Sequence, residues 1–406
     1  MQLTRQGSSD VDDGFAALTS PSIAIVGSGP SGCYIAQFLR KRWRDAEIVV
    51  FDRLPLRYGL VRYGVAPDHL GTKAVTRQFD RLFEHDGVIF VGEKEIGTQV
   101  SVDELRSAFD VVVLATGLSA DRPLAVPGRS LHGVYGAGRV TRLVNGHPDE
   151  FAAGVDFGSR VTIVGHGNVA VDLVRILLSK SSDLRAFGVA EGVVEAIGAG
   201  PIRHIDVVGR SGAHAAKFDA AMVRELAKLS NVRFVAEDMS APPESADAHA
   251  DGRAKHDAVA TLVNESGQAE RTVQFHFGWV PEQVMGASTV SGIIFSSARG
   301  DGTILRLATD SVLTAIGFEE VESAPVRRRH HESAVSDLDA GYLAEGLYCV
   351  GWLRRGPRGT IPINRQDSKM VADVIAAAFE SGNLSAGKPG LAALRPLSIL
   401  VREVPA

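Results

Sequence analysis

Two glycine-rich turns, each set between an apolar strand and an apolar helix, constrain this chain more than any other feature. The first follows the strand-like run IAIV at residues 23–26 and precedes a helical pattern of apolar residues. It has the form G-x-G-x-x-G and comprises Gly27, Ser28, Gly29, Pro30, Ser31 and Gly32. Such a turn brings backbone amides at a helix N-terminus close to a pyrophosphate, so it predicts a dinucleotide-binding unit rather than a purely structural turn.

An acidic residue stands where dinucleotide-binding units usually place one. The strand-like run EIVVF is followed by Asp52 and Arg53, and Asp52 lies about 20 residues after Gly32. A carboxylate at this point accepts hydrogen bonds from a ribose diol. We therefore expect Asp52 and Arg53 beside a cofactor whose ribose carries no 2′-phosphate.

The second turn has the form G-x-G-x-x-A and follows the strand-like run VTIV. Its predicted cofactor residues are Gly165, Gly167, Asn168 and Val169. The next strand-like run, HIDVV, leads into Arg210 and Ser211 instead of an acid. A guanidinium pairs with a 2′-phosphate that a carboxylate would repel, so this site is predicted to take NADP(H), unless Arg210 is an ordinary surface arginine. The long interval before Arg210 predicts a helical insertion near residues 179–200.

Two further strand-like runs mark crossings between two domains. One, at residues 109–117, ends in Ala115, Thr116 and Gly117, and the other spans residues 311–318. Two dinucleotide sites in one chain indicate electron transfer, for which NADPH and FAD are the simplest pair of cofactors.

These crossings predict an α/β fold with two Rossmann-like, three-layer dinucleotide-binding domains. The FAD-binding domain is expected to comprise residues 21–117 and 318–406, and the inserted NADPH-binding domain residues 118–317. Residues 1–20 are expected to form a flexible N-terminal arm.

Composition excludes several classes of protein. The net charge of −5 over 406 residues gives no overall attraction to nucleic acid or anionic lipid. No apolar run approaches the roughly 18 residues of a membrane span, and the N-terminus resembles neither a secretory signal nor a transit peptide, so a cytoplasmic protein is expected. Cys33 and Cys349 are the only cysteines, which excludes a disulfide framework and a cysteine-ligated iron–sulfur cluster. Without C-x-x-C, electron delivery to a disulfide is disfavoured, and no metal site is predicted.

Six motifs together resemble the adrenodoxin reductase-like family, which includes the bacterial FprA-type ferredoxin–NADP reductases. The motifs occur in the family's order over residues 21–380, and they are IVGSGPSG, YGLVRYGVAPDH, TIVGHGNVA, VVGRSG, REL and GWLRRGPRGTI. The resemblance implies that a hydride passes from NADPH to FAD, and that single electrons then pass to a ferredoxin-type iron–sulfur protein.

The resemblance also implies roles for individual residues. It places His69 at the active site near the flavin and Glu225 near the nicotinamide. Other residues would lie beside the flavin or cover it: Leu60, Val61, Val65, Trp352, Gly359, Thr360 and Ile361. The tyrosines of the stretch at residues 56–73 are expected to help cover the flavin, while His69 has a plain loop-stabilising role as its alternative.

Two predictions concern specificity and partners. Ser211 stands where the family has a second arginine, so some use of NADH is expected. An acidic ferredoxin would dock on a basic patch, for which Arg354, Arg355 and Arg358 are the candidates and residues 327–331 the weaker alternative.

The polar segment at residues 240–258 is predicted to be a surface loop or β-connection. Competing functions are a flavoprotein reductase with another acceptor, such as a quinone or a synthase or oxygenase subunit, and a non-catalytic nucleotide sensor.

Overall fold

Two six-stranded sheets organise the protein. The computed structural model describes residues 20–152, 155–198, 202–237, 239, 249–265 and 267–394. From one edge to the other, the first sheet consists of Tyr342–Ala344, Leu347–Cys349, Val111–Leu114, Ser22–Val26, Glu47–Phe51 and Ile89–Val91. Its strands are parallel except for the edge pair Tyr342–Ala344 and Leu347–Cys349.

Apolar cores cover both faces of the first sheet, because successive residues of a strand point to opposite sides. Ile25 packs into a core shared with the helices Pro30–Arg42 and Ile361–Glu380. Val26 packs on the other face with the helix Val102–Ala108. Burial on both faces explains why these strands are continuous apolar runs without alternation.

The second sheet is parallel throughout. Its strands are, in order, Val134–Gly136, Ser311–Thr314, Arg160–Val164, His204–Gly209, Arg271–Phe277 and Val232–Glu237. One face packs against the helices Ala137–Val144, Asn168–Leu178 and His249–Glu265. The other face packs against an antiparallel sheet of Trp279–Gly286, Val290–Ser297 and Ile304–Leu307. The predicted α/β class with two three-layer units is confirmed.

The chain passes between the two sheets along two adjacent crossings. Ala120–Asp121 pairs antiparallel with Phe318–Glu319, and the amide of Arg122 donates to the carbonyl of Gly317 at 2.9 Å. Outward and return paths are therefore tied to one another. The predicted domain limits themselves remain a prediction.

Shorter helical segments fill the remaining connections. They are Gly59–Tyr63, Leu70–Lys73, Thr76–Glu84, Ser181–Ala186, Glu191–Gly198, Ala220–Glu225 and Trp352–Arg355, with 3-10 turns at Ala213–Ala215, Leu226–Lys228, Arg328–His330 and Gly390–Leu394. The helical insertion predicted near residues 179–200 is confirmed by Ser181–Ala186 and Glu191–Gly198. None of the helices within the described ranges combines the length and the apolar content needed to cross a membrane.

The predicted loop at residues 240–258 is wrong in its second half. His249–Glu265 forms a helix, whose buried Ala258, Val259 and Leu262 recur at helical spacing that the polar residues around them obscured. Residues 240–248 lie outside the described residues, as do residues 1–19 of the predicted arm and the C-terminal residues 395–406.

Candidate active site between two dinucleotide turns

Each glycine-rich turn rests against a crossing segment of its own sheet. Gly27 has a φ of +107°, and a Cβ there would lie 2.5 Å from the carbonyl oxygen of Ala115. Gly165 has a φ of +128°, and a Cβ there would lie 2.3 Å from the carbonyl oxygen of Ala315. Only glycine tolerates both the positive φ and the close contact. Each glycine-rich turn therefore packs in the same way against the residue that follows a crossing strand.

Both turns leave space in front of a helix N-terminus. Apart from the glycine itself and its chain neighbours, no heavy atom of the described residues lies within 4 Å of the position that a Cβ would take at Gly29 or at Gly167. These glycines are the N-caps of Pro30–Arg42 and Asn168–Leu178, and neither supplies a side-chain cap. The amides of the first helical turns are thus available to phosphate oxygens, which the helix dipole favours. Both turns fit the pyrophosphate of a dinucleotide.

Asp52 is partly committed to the first turn. Its carboxylate accepts hydrogen bonds from the amide of Ser28 at 2.8 Å, from the hydroxyl of Ser28 at 2.5 Å and from the amide of Leu54 at 2.9 Å. A carboxylate offers about four acceptor positions, so one remains for the predicted ribose hydroxyl. Arg53 pairs with Asp149 at 2.6 Å on the surface.

The stretch at residues 56–73 lies directly over the first turn. The amide of Tyr58 donates to the carbonyl of Ser28 at 3.1 Å. Its ring is buried, and its hydroxyl donates to Asp80. Tyr63 is also buried, with its ring centroid 4.8 Å from that of His147. The expectation that these tyrosines cover the flavin is therefore wrong, because both rings belong to the protein core.

The other predicted residues of this stretch differ in accessibility. Val61 is only 1% exposed and offers almost no surface to a ligand, whereas Leu60 and Val65 are partly exposed. Several predicted cofactor residues elsewhere also keep accessible surface: Pro30, Thr116, Gly117, Val169, Ser211, Gly359, Thr360 and Ile361. Ser31 is buried, and its carbonyl accepts a hydrogen bond from Ser368 at 3.0 Å.

An ion cluster joins this stretch to two helices that pack on the second sheet. Arg175, on the helix Asn168–Leu178, donates to both carboxylate oxygens of Asp68, one of them at 3.1 Å, and to Asp172 at 2.6 Å. The same guanidinium lies 2.7 Å from Nε2 of His69. Nε2 of His69 is in turn 3.6 Å from Oε2 of Glu225, which ends the helix Ala220–Glu225. The structure thus brings the two predicted catalytic residues together.

The cluster carries more negative than positive charge. Burial raises the pKa of Asp172, although the charge of Arg175 acts in the opposite direction. Burial alone would lower the pKa of Arg175, but its hydrogen bond to Asp68 and the charge of Asp172 raise it above its ordinary value. Arg175 therefore stays charged. Its positive charge offsets the mutual repulsion of the three surrounding carboxylates, which belong to Asp68, Asp172 and Glu225.

Asp172 and Arg175 were missed by the sequence analysis. They lie three positions apart in the otherwise apolar helix NVAVDLVRILL, so their side chains share one helix face. Two charged residues inside an apolar helix were the available signal, because charges are buried only with partners. The partners themselves could not be read from the sequence.

The return segment near residues 351–361 is held by one buried carboxylate. Asp367 accepts hydrogen bonds from the amide of Gly351 at 2.5 Å and from Nε of Arg354 at 2.8 Å, and Arg355 pairs with it at 3.0 Å. Trp352 lies against Phe318 of the return crossing, with ring centroids 5.5 Å apart. Among the described residues its indole nitrogen has no hydrogen-bond partner, which fits a polar ligand group at this place.

The geometry corrects part of the predicted docking patch. Arg354 and Arg355 are only 11% and 17% exposed, and both are paired with Asp367. Both guanidinium groups are engaged inside the protein, so they form no open basic surface. Arg358 alone of the three is exposed. Thr360 is the N-cap of Ile361–Glu380, and Pro362 occupies the first turn of that helix, as its missing N–H permits.

The second turn has one predicted cation and one that was missed. Arg210 is exposed and forms no ion pair with another described residue. Lys217 is also exposed, and its backbone pairs with that of Gly167 while its amide donates to the carbonyl of His166 at 2.8 Å. Lys217 therefore lies beside the turn that is predicted to receive phosphate.

Comparison with known proteins places this geometry in a family. The chain matches the family model "Pyridine nucleotide-disulphide oxidoreductase" over residues 21–239. It is 48% identical to cindoxin reductase of Citrobacter braakii over 91% of this chain and 81% of that protein. It is 32% identical to the mitochondrial NADPH:adrenodoxin oxidoreductase of Arabidopsis thaliana over 92% and 86%, respectively. The solved structure of Mycobacterium tuberculosis FprA in complex with NADPH is similar with a TM-score of 0.83 and 26% identity, over 94% of this chain and 90% of that chain.

Two dinucleotide-binding units that meet at one ion cluster define a two-domain nucleotide oxidoreductase. The chain belongs to the pyridine nucleotide-disulphide oxidoreductase family, and within it to the adrenodoxin reductase-like group. The predicted family and fold are thereby confirmed. Despite the family name, this chain has no cysteine pair for disulfide chemistry, since Cys33 and Cys349 are its only cysteines and both are buried thiols.

Proposed function

We propose that this chain is an FAD-containing oxidoreductase that takes a hydride from NADPH and passes single electrons to a ferredoxin-type iron–sulfur protein. The observation that carries the proposal is the distance of 3.6 Å between Nε2 of His69 and Oε2 of Glu225. His69 follows the first glycine-rich turn in the chain, and Glu225 follows the second. This contact supports the proposal, because hydride transfer requires the two cofactors to meet at one interface. The similar proteins support it, because they are named as reductases of cindoxin and of adrenodoxin, and FprA was solved with NADPH.

The chain's own residues bind and orient. FAD, when bound, would accept the hydride and release electrons singly. The first glycine-rich turn and Asp52 would hold the ADP half of FAD. The start of the helix Ile361–Glu380 has free amides that favour nearby negative charge, and the indole nitrogen of Trp352 is a further free donor among the described residues.

Arg210 would select NADPH over NADH by pairing with the 2′-phosphate. It lies just beyond the strand His204–Gly209 and is exposed, so its guanidinium is available to a ligand. Ser211 adds no charge beside it. We therefore propose a preference for NADPH with residual use of NADH.

The electron acceptor would be an acidic ferredoxin that docks near the return segment. Arg358 is the exposed cation of that segment, and it follows Trp352, which is proposed to cover the flavin, closely in the chain. A cation at the rim of a docking surface steers an acidic partner and makes its association depend on salt. The protein is proposed to work in the cytoplasm, where NADPH is available as the reductant.

One series of measurements on the purified full-length protein tests the function. It should carry the absorption bands of a flavin, and anaerobic NADPH should bleach them. Reduction of cytochrome c should then depend on an added ferredoxin. Absence of flavin would overturn the whole proposal, and flavin that NADPH does not bleach would indicate a sensor. Reduction of a quinone in preference to ferredoxin would assign another acceptor.

A further inference from the structure

Arg175 is nearly inaccessible, yet it contacts groups from three separate segments. Its side chain is only 9% exposed. It contacts Asp68 and His69 of the stretch at residues 56–73, Asp172 of its own helix, and Glu225 of the neighbouring helix Ala220–Glu225. These are the segments that meet at the interface between the two predicted cofactor sites. The guanidinium therefore occupies the centre of the cluster.

The contact with His69 has a chemical consequence. A guanidinium nitrogen can only donate, so a ring nitrogen 2.7 Å away must accept. Nε2 of His69 therefore carries no proton in this arrangement, and the neutral ring has its proton on Nδ1. We propose that Arg175 is a positioning residue that holds His69 in the Nδ1–H tautomer at the junction of the two cofactor sites. This inference rests on the proposed function for its meaning in the reaction.

The carboxylates around His69 do not replace this contact. Nε2 lies 3.8 Å from Oδ1 of Asp172 and 3.6 Å from Oε2 of Glu225, and both distances exceed that of a hydrogen bond. Asp68, the third carboxylate, is engaged by two nitrogens of Arg175. With Arg175 in place, His69 has no direct hydrogen bond to Glu225 through Nε2. Any proton that His69 offers to a ligand must therefore leave from Nδ1.

An arginine suits this position better than a lysine. The planar fork donates to Asp68 through Nε, and the two hydrogens of Nη2 are directed at Asp172 at 2.6 Å and His69 at 2.7 Å, which are both nearer than the second oxygen of Asp68 at 3.1 Å. An ammonium is a point charge that cannot reproduce this set of directions. Loss of the guanidinium would leave the nearby carboxylates to attract a proton onto Nε2 of His69.

Long-range ¹H–¹⁵N NMR of the full-length protein, labelled with ¹⁵N-histidine, measures the tautomer directly. A His69→Gln variant identifies the signals of this ring. We expect the wild-type protein to show protonated Nδ1 and unprotonated Nε2, and the Arg175→Leu protein to show a proton on Nε2. The exposed Arg185, which pairs with Glu191 at 2.5 Å, supplies the control Arg185→Leu, whose His69 signals should match the wild type.

A wild-type His69 with its proton on Nε2 would overturn the inference, even if Arg175→Leu failed to fold. Unchanged His69 signals in Arg175→Leu would overturn it as well. The positioning role also predicts that NADPH bleaches the flavin of Arg175→Leu or Arg175→Lys more slowly, by roughly ten- to a hundredfold. Wild-type rates in both variants would contradict that role. Failure of the proposed function is distinguishable, because it would appear as a wild-type protein without flavin or without bleaching, whatever its histidine tautomer.

Discussion

The carboxylate of Asp52 accepts a hydrogen bond from the backbone amide of Ser28 at 2.8 Å, inside the first glycine-rich turn. Asp52 therefore shapes the turn as well as offering an acceptor to a ribose. Asp52→Asn replaces an acceptor with a donor that faces an amide, and we expect a loss of about 1–3 kcal/mol in unfolding free energy together with release of FAD. Denaturant titration and the flavin-to-protein absorbance ratio measure the two effects.

Asp45 is the matched control, because it is exposed and lies in the turn before Glu47–Phe51, the strand that leads into Asp52. Asp45→Asn should keep both stability and flavin. If Asp52→Asn retained wild-type flavin content, Asp52 would have no part in the cofactor site.

Gly165 should be intolerant of a methyl group. In Gly165→Ala the Cβ would lie 2.3 Å from the carbonyl oxygen of Ala315, and the φ of +128° is unfavourable for alanine. Gly146 also has a positive φ, of +68°, but apart from the glycine itself and its chain neighbours no heavy atom of the described residues lies within 4 Å of its Cβ position. Gly165→Ala should therefore cost at least about 2 kcal/mol more than Gly146→Ala, as thermal unfolding would show. Equal costs would mean that backbone strain, and not the contact with Ala315, sets the glycine requirement.

Arg210→Ala should weaken the binding of NADPH far more than the binding of NADH. Loss of a charge-assisted contact with a phosphate costs about 1.5–3 kcal/mol, or roughly a ten- to hundredfold rise in KM for NADPH. Arg203 is exposed at the opposite end of the same strand and provides the control. Initial rates with each coenzyme measure the effect. Equal losses for NADPH and NADH would rule out Arg210 as the 2′-phosphate contact.

Substitution by alanine should have different effects at Arg358 and at Arg354. Arg358→Ala removes an exposed charge and should reduce ferredoxin-dependent turnover and flatten its dependence on ionic strength. Arg354→Ala leaves the buried Asp367 with one fewer partner and should lower stability by about 3 kcal/mol. Stopped-flow kinetics over a salt series and thermal unfolding separate the two outcomes, with Arg306→Ala on the antiparallel sheet as an exposed control. An unchanged salt dependence in Arg358→Ala would place the docking surface elsewhere.

His166 should make the protein sensitive to mild acid. Burial lowers the pKa of this ring from 6.5 to about 4. The unfolded chain therefore binds a proton more readily than the folded protein between these values, and stability present above pH 6.5 is lost as the pH falls towards 4. The loss from this group is up to about 3 kcal/mol. Denaturant titrations near pH 7 and near pH 5 should show a smaller acid loss in His166→Gln than in the wild type, whereas identical losses would assign the effect to other groups.

Local patterns were sufficient for the cofactor turns. Gly27 and Gly165 could be placed from the strand before them and the helix after them, because close contact between strand and helix requires glycine at a fixed point of that connection. Arg210 could be placed in the same way, from its position after the strand His204–Gly209. The helix His249–Glu265 was missed because polar residues obscured the spacing of its few buried apolar ones.

Side-chain environment was not accessible to the same reasoning. Tyr58 and Tyr63 looked suited to cover a flavin, yet both rings are buried in the protein. Arg354 and Arg355 looked like an open basic patch, yet both are paired with Asp367. In each case the residue type was compatible with either environment, and the choice depended on which segments pack around it.

The sequence by itself determined that this chain has two dinucleotide-binding turns, a family and a pair of cofactors, because each depends on residues that are close along the chain. Only the tertiary structure decided that Arg175 joins Asp68, His69 and Glu225 into one cluster. His69 and Arg175 are 106 positions apart, and nothing in their spacing specifies a contact of 2.7 Å. The strength and the chemistry of such a contact come from burial and direction, which exist only after the two units have packed together.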